Sequence, residues 1–246
     1  YLGEGRYIHS TGAAASGGVG IHSLEPSDPL YRGDPGKCLF VGGSFFLKEI
    51  TMKVFDLHCD TLSELRYAEK AGTPKSFAQN DLHIDLQKLK KGDYMLQCFA
   101  AFVNLGDKTP GADPLVTALE EIDVFKRIME KYPEDIAPVY QPSDIRKNAA
   151  EGKISGMLTI EEGGCCKGSI GVLRRMYELG VRMMTLTWNH ENELASPNVV
   201  PGGGHNIWPC APNTETGLKE KGFEFLAEME RLHIIADVSH LSDKGF

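Results

Sequence analysis

The sequence lacks the features typical of membrane, exported and nucleic-acid-binding proteins. Its 246 residues contain no apolar run of the roughly 18 residues that suggest a membrane helix, and the N-terminus does not follow the basic-then-apolar order of a signal peptide. A formal net charge of −8 argues against a basic surface for nucleic acid or anionic lipid. The six cysteines show no C-x-x-C spacing, which excludes an obvious disulfide framework or zinc ribbon. We therefore expect a cytoplasmic protein whose partners are small molecules.

The first 51 residues differ in composition from the rest of the chain. They hold ten of the 27 glycines, together with clustered Ser, Ala and Pro, and they show neither helical nor strand periodicity. We expect little packed structure in 1–51. Because the first methionine, Met52, directly precedes a strand-like run, we expect Met52 to be the biological start and 1–51 to be non-native. A genuine flexible extension is the alternative.

From Met52 onward, short apolar runs alternate with amphipathic helices. The predicted strands cover about residues 53–57, 94–103, 155–160, 181–187 and 233–238. The predicted helices cover about residues 62–71, 113–131, 143–151, 168–179 and 216–232. Alternating strands and helices predict βαβ units and a parallel sheet. Since no G-x-G-x-x-G motif or P-loop follows the first strand, the pattern favours an α/β barrel of the (β/α)8 TIM type over a nucleotide-binding fold.

Four of the five predicted strands end in polar residues. In parallel α/β folds the carboxyl ends of the strands meet at one rim, where functional groups collect. The polar residues that follow the strands are His58 and Asp60, Glu161 and Glu162, the segment 188–193, and Ser239 and His240. This placement predicts a site built from several strands.

Four of these side chains, at the ends of three strands, suit a metal site. His58 and Asp60 are two positions apart, so an extended strand points both to the same face. Imidazole nitrogen and carboxylate oxygen together suit zinc or a similar divalent metal. Glu162 precedes Gly163-Gly164, which permits a sharp turn or a close ligand approach, whereas we expect Glu161 to be secondary. His240 alone would more often be a structural histidine, but three such residues on three strands favour a metal site.

Five motifs in order give the chain a specific resemblance. They are Asp56-Leu-His-Cys-Asp-Thr61, Thr159-Ile-Glu-Glu-Gly-Gly164, Leu179-Gly-Val-Arg-Met-Met-Thr-Leu-Thr-Trp-Asn189, Gly217-Leu-Lys-Glu-Lys-Gly-Phe223 and Ala236-Asp-Val-Ser-His-Leu-Ser242. In these five motifs the sequence resembles the membrane (renal) dipeptidase family and its bacterial members, within the amidohydrolase superfamily. The resemblance extends from Met52 to the last residue and does not include 1–51.

The resemblance implies a distorted (β/α)8 barrel of the metallo-dependent hydrolase kind, with two zinc ions. His58 and Asp60 would hold one metal, Glu162 would bridge both metals and act in catalysis, and His240 would bind the second. A further family histidine, a proton-transfer acid and a substrate arginine lie beyond the last residue, Phe246. We therefore expect a barrel that is incomplete at its C-terminal end.

The strand that ends near Thr187 departs from the pattern of the mammalian members. Where those members carry a substrate-polarising histidine, this sequence has Trp188, with His190 two positions later. We expect Trp188, Asn189 and His190 to bind substrate, and His190 to be catalytic. A loop histidine that does not contact substrate is the alternative.

The function that the resemblance implies is a zinc-dependent dipeptidase. It would hydrolyse small dipeptides through a metal-bridging hydroxide and accept a D-residue at the carboxyl side. The resemblance leaves open whether the protein forms a homodimer. Two alternatives are a catalytically inert barrel fragment and a related amidohydrolase that acts on another amide or a lactam.

Overall fold

The structure, a computed structural model, describes residues 52–199 and 211–246. The expectation that 1–51 form an extension with little packed structure lies outside the described residues. From Thr51 to Phe246 the chain forms one compact unit.

Strands and helices alternate along the described chain. The strands are β1 (Val54–Asp56), β2 (Tyr94–Phe102), β3 (Ile136–Pro138), β4 (Ile154–Glu161), β5 (Val181–Thr185) and β6 (Ile235–Asp237). The helices are α1 (Thr61–Lys70), α2 (Leu86–Lys91), α3 (Pro114–Lys131), α4 (Pro142–Ala150), α5 (Ile170–Leu179) and α6 (Glu220–Leu232). A short 3-10 helix, Gly163–Cys166, follows β4.

The six strands form one parallel sheet. Its order is β1-β2-β4-β5-β6, and β3 pairs with the start of β4. Every pairing is parallel, so the carboxyl ends of β1, β2, β4, β5 and β6 lie at one edge. This curled sheet with its helices is an incomplete (β/α) barrel, which confirms the predicted fold class.

The central strand β4 is buried along its whole length and separates two apolar clusters. Leu158 and Ile160 belong to the larger cluster, which includes residues of the surrounding helices, whereas Met157 belongs to a smaller cluster on the other face. Because side chains alternate along a strand, odd-numbered positions of β4 face inward and even-numbered positions face the helices. This alternation continues to the end of the strand and decides which glutamate reaches the site.

Local signals set several element ends. Asp113 caps α3 by accepting from the backbone N–H groups of Leu115 and Val116, with Pro114 as the first helical residue. Gly180 ends α5 at φ +110°, where a Cβ would lie 2.9 Å from the ring of Tyr140. Gly180 is therefore the glycine that ends this helix.

Two short elements were not predicted from the sequence. Helix α2 has six residues and strand β3 has three, which is too short for a periodic pattern to stand out. Helix α6 begins at Glu220 rather than near 216, because Leu218 forms an isolated antiparallel bridge with Ala195. Among the described residues, none of the helices combines the length and apolarity needed to cross a bilayer.

We predict that the larger apolar cluster carries much of the stability. Phe99 on β2 is fully buried, and its ring lies 5.8 Å from that of Phe77 and 5.9 Å from that of Phe125. Phe99→Ala should lower the free energy of unfolding by about 3–5 kcal/mol, since it leaves a cavity. Phe223→Ala, at a 61% exposed position of α6, should change it by less than about 0.5 kcal/mol. Urea denaturation measures both, and equal effects would contradict the assigned core.

Candidate metal centre

Three ligand-type side chains meet at the carboxyl edge of the sheet. One ligand atom from each of His58, Asp60 and Glu161 lies within 4.8 Å of the other two. His58 and Asp60 follow β1, and Glu161 is the last residue of β4. The structure brings His58 and Asp60 together, since Nε2 of His58 lies 3.2 Å from Oδ1 of Asp60.

The Glu161 carboxylate lies between two imidazoles. Its Oε2 is 3.2 Å from Nε2 of His58, and its Oε1 is 3.4 Å from Nε2 of His240. The Glu161 side chain is 8% exposed, whereas His58 and His240 are 42% and 37% exposed. A buried carboxylate thus lies between two partly exposed imidazoles, and it brings His240 next to the cluster of His58, Asp60 and Glu161.

The charges of the group are strongly coupled. Hydrogen bonds to Asp60 and to Glu161 raise the pKa of His58 to about 10, although burial opposes the shift. Burial alone would raise the pKa of Glu161, but hydrogen bonds from His240 and His58 outweigh it and hold this pKa at about 2. The group therefore contains a charged His58 imidazolium at neutral pH, and its Nε2 faces the carboxylates of both Asp60 and Glu161.

Glu162 does not lie where the sequence interpretation put it. Among the described residues, the cluster of candidate ligands contains Glu161 and not Glu162. The Glu162 carboxylate is fully buried and accepts hydrogen bonds from the backbone N–H groups of Gly164 and Trp188, at 2.8 and 2.9 Å. The structure therefore corrects the ranking of the two glutamates. The physical reason is strand alternation, which directs Glu161 inward with Met157.

His240 is oriented by a neighbouring amide. Its backbone has φ +64°, which is uncommon for a residue with a side chain, and its Nδ1 lies 3.1 Å from Oδ1 of Asn189. With Oδ1 of Asn189 as the acceptor, Nδ1 of His240 donates, and Nε2 of the same ring faces Oε1 of Glu161. Asn189, predicted to bind substrate, therefore contacts a candidate ligand.

Trp188 and His190 lie beside this group. The Trp188 ring is 4.9 Å from that of Phe102, 6.0 Å from that of His190 and 6.2 Å from that of His240. Nε2 of His190 is 3.1 Å from Oδ1 of Asn104. Trp188 thus forms a wall next to His240, and the substrate and catalytic roles expected of the two residues stay predictions.

Two polar residues of the site were missed by the sequence interpretation. Asn104 contacts His190, and buried Asn192 contacts Glu162. Their contacts join segments far apart in the chain, so no local pattern marks them. Glu161, in contrast, could have been predicted from the sequence. Side chains alternate along a strand, so Glu161 faces the same side as Met157, four positions earlier.

Comparisons with known proteins bear on the family and the fold. Residues 47–246 match the family described as membrane dipeptidase, peptidase family M19. A structure of dipeptidase AC, an M19 metallopeptidase, is similar with a TM-score of 0.67 and 24% identity, over 79% of this chain and 58% of that one. A second similar structure is a metallopeptidase from Rhodobacter sphaeroides, liganded with a phosphinate mimic of the dipeptide L-Ala-D-Ala. Its TM-score is 0.67 and its sequence identity is 23%, over 79% of this chain and 60% of that one.

A third structure is more distant. The probable dipeptidase PvdM from Pseudomonas aeruginosa has a TM-score of 0.57 and 20% identity, over 68% of this chain and 43% of that one. This chain thus spans about 58–60% of the length of the first two structures. These likenesses support the fold, and the match over residues 47–246 establishes the family. The chain belongs to the membrane dipeptidase family, peptidase family M19.

Proposed function

We propose that this chain carries the metal-binding part of a metal-dependent dipeptidase. The observation that supports it most directly is the Glu161 carboxylate, which faces His58 with one oxygen and His240 with the other. Asp60 completes the cluster beside His58. Membership of the family and the fold it shares with metallopeptidases support the same reading.

The donor set fits zinc. Two imidazole nitrogens and two carboxylates form the mixed N/O set that zinc accepts in catalytic sites, whereas Mg²⁺ and Ca²⁺ prefer oxygen ligands. Because each oxygen of Glu161 faces a different imidazole, this carboxylate suits a bridging role between two ions. We propose His58, Asp60 and Glu161 for one zinc, and Glu161 and His240 for the second.

The residues around the cluster would prepare it for hydrolysis. When bound, zinc supplies Lewis-acid polarisation of a carbonyl and activation of water. Asn189 holds Nδ1 of His240, which fixes the ring so that Nε2 faces the cluster. The ring of Trp188 packs against that of Phe102 beside the cluster, and we propose that His190 and Trp188 contact the substrate.

The substrate class follows from the family and from one ligand. We propose small dipeptides, including those with a D-residue at the carboxyl end, because the Rhodobacter sphaeroides metallopeptidase was solved with a mimic of L-Ala-D-Ala. A protein that shares the fold but is inert, or one that hydrolyses another amide or a lactam, is the alternative. Substrate panels distinguish these possibilities.

We predict that the zinc-loaded protein hydrolyses L-Ala-D-Ala. The assay measures release of free alanine from L-Ala-D-Ala and L-Ala-L-Ala, with cyclic amides as the competing substrates. Asp60→Ala should reduce turnover to background while the circular dichroism spectrum is unchanged. Zinc binding without turnover of any dipeptide would favour the inert alternative, and turnover restricted to cyclic amides would favour the other hydrolase.

We predict that Glu161, and not an arbitrary surface carboxylate, is required for metal binding. Glu161→Gln removes the charge that faces both imidazoles and should lower the affinity for zinc by about a hundredfold or more. Glu134→Gln makes the same change at an exposed position and should leave the affinity unchanged. Competition with a chromophoric chelator measures both, and equal affinities for the two variants would refute the assignment of Glu161.

We predict that protons compete with the metal. Since the pKa of His58 is about 10 without metal, binding at neutral pH must displace the imidazolium proton. The apparent affinity should therefore fall by about tenfold for each unit of decrease in pH between 8.5 and 6.5. Chelator competition at several pH values gives this slope, and calorimetry in buffers of different ionisation enthalpy should detect the released proton. A flat profile would contradict the prediction.

A further inference from the structure

The buried carboxylate of Glu162 connects two loops at the carboxyl edge of the sheet. Its Oε1 accepts hydrogen bonds from the backbone N–H of Gly164 and from Nδ2 of Asn192, at 2.8 and 2.5 Å. Its Oε2 accepts from the backbone N–H of Trp188 at 2.9 Å. Glu162 therefore holds together the loop that follows β4 and the loop that follows β5.

Asn192 fixes the far end of the second loop. Besides Glu162, its Nδ2 donates to the backbone carbonyl of Leu186 at 2.8 Å. Its Oδ1 accepts from the backbone N–H groups of Leu194 and Ala195, at 2.7 and 3.0 Å. All hydrogen-bonding positions of this amide group serve the loop, so Glu162 and Asn192 together hold both ends of the segment 188–192.

The backbone of Glu162 adopts a conformation that a residue with a side chain rarely takes. Its φ is +93°, in the positive region that favours glycine. Such conformations persist where surrounding contacts over-determine them, and they cluster at functional sites. Here the contacts are the three hydrogen bonds to the carboxylate. The same backbone reversal directly follows Glu161, which points to the candidate metal centre.

The segment held by Glu162 reaches the candidate ligands. Trp188, whose N–H binds Glu162, places its ring 6.2 Å from the ring of His240. The next residue, Asn189, contacts Nδ1 of His240 at 3.1 Å. The chain of contacts thus runs from Glu162 through the backbone of Trp188 to the amide that orients His240.

We propose that Glu162 is a positioning residue that acts through this loop and not as a metal ligand. Its carboxylate holds the segment 188–192 so that Asn189 orients His240 and Trp188 forms one wall of the site. The metal centre in this inference is the one put forward under the proposed function, on which the inference rests.

The side chain at position 162 must be a hydrogen-bond acceptor that carries no hydrogen on either terminal atom. All three partners of Glu162 are N–H donors, and a carboxylate accepts from all of them. A glutamine has nearly the same shape, but its amide would point two hydrogens at one of these donors and lose that bond. Glu162→Gln therefore weakens the attachment of the loop with little change in volume.

The experiment compares Glu162→Gln with Glu161→Gln and with Glu193→Gln, an exposed glutamate of the same loop. The first readout is amide hydrogen exchange of residues 186–192, which needs neither metal nor substrate. The second readout is titration with Co²⁺ alone, which gives the affinity and the visible absorption spectrum of the bound ion. The spectrum reports the arrangement of ligands around the metal, which a loss of stability alone would not change.

We expect Glu162→Gln to accelerate exchange in the loop by about tenfold or more, to retain Co²⁺ binding within about tenfold of the parent affinity, and to alter the Co²⁺ spectrum. Glu161→Gln should lose Co²⁺ binding while loop exchange stays near that of the parent. Glu193→Gln should change neither readout. A loss of Co²⁺ affinity as large as that of Glu161→Gln would overturn the inference, as would unchanged exchange or an unchanged spectrum.

A second variant covers the case in which Glu162→Gln does not fold. Asn192→Ala removes the partner of Glu162 at the other end of the loop and is judged by the same criteria. If neither variant folds, Glu162 is a requirement of folding and the inference is overturned. If the parent protein binds no Co²⁺, the proposed function fails, whereas the exchange measurement still shows whether Glu162 holds the loop.

Discussion

The candidate metal centre depends on one buried carboxylate. Glu161 is the only member of the group with little access to solvent, and each of its oxygens faces an imidazole from a different strand. A carboxylate at 8% exposure needs compensating charge or hydrogen bonds close to it. The histidines that supply this compensation are the residues that would share a cation with it, so burial of Glu161 and assembly of the site are one requirement.

The parallel sheet explains how distant residues meet this requirement. His58, Glu161 and His240 are separated by about a hundred residues and by about eighty, yet each stands at or just after the carboxyl end of a strand. Because all the strands run in the same direction, their carboxyl ends lie at one edge of the sheet, however many residues separate them along the chain. The lower part of the inner face is filled by apolar residues such as Met157 and Met183, so the polar layer is confined to the rim.

Most of the fold could be predicted from the sequence, whereas the sequence indicated only part of the arrangement of the candidate site. The longer strands and helices have strong periodicity, and their order gives the parallel fold; the short elements α2 and β3 carry too few residues for that signal. His58, Asp60 and His240 follow apolar strands, which makes them candidate ligands from the sequence alone, and the structure brings them close together. For the paired glutamates, the glycines after Glu162 drew attention to it, although alternation from Met157 favours Glu161. The links of Asn104, Asn189 and Asn192 depend on tertiary contacts, which no local pattern encodes.

The two adjacent glutamates show two different ways to accommodate a buried carboxylate. Burial raises the pKa of Glu162 to about 7, even though backbone and amide N–H groups oppose the shift. These neutral donors stabilise the charge through fixed geometry, so they suit a residue that holds a loop. Glu161 is compensated instead by the two histidines beside it, and His58 carries its charge as a proton that a metal can displace. A metal centre requires that the charge of its buried carboxylate be balanced by a proton that can leave. The metal-free site must be stable, and it must release this proton when a cation binds. The chemistry of their partners and the direction of their side chains therefore both support the proposed roles, Glu161 as a metal ligand and Glu162 as a positioning residue of the loop.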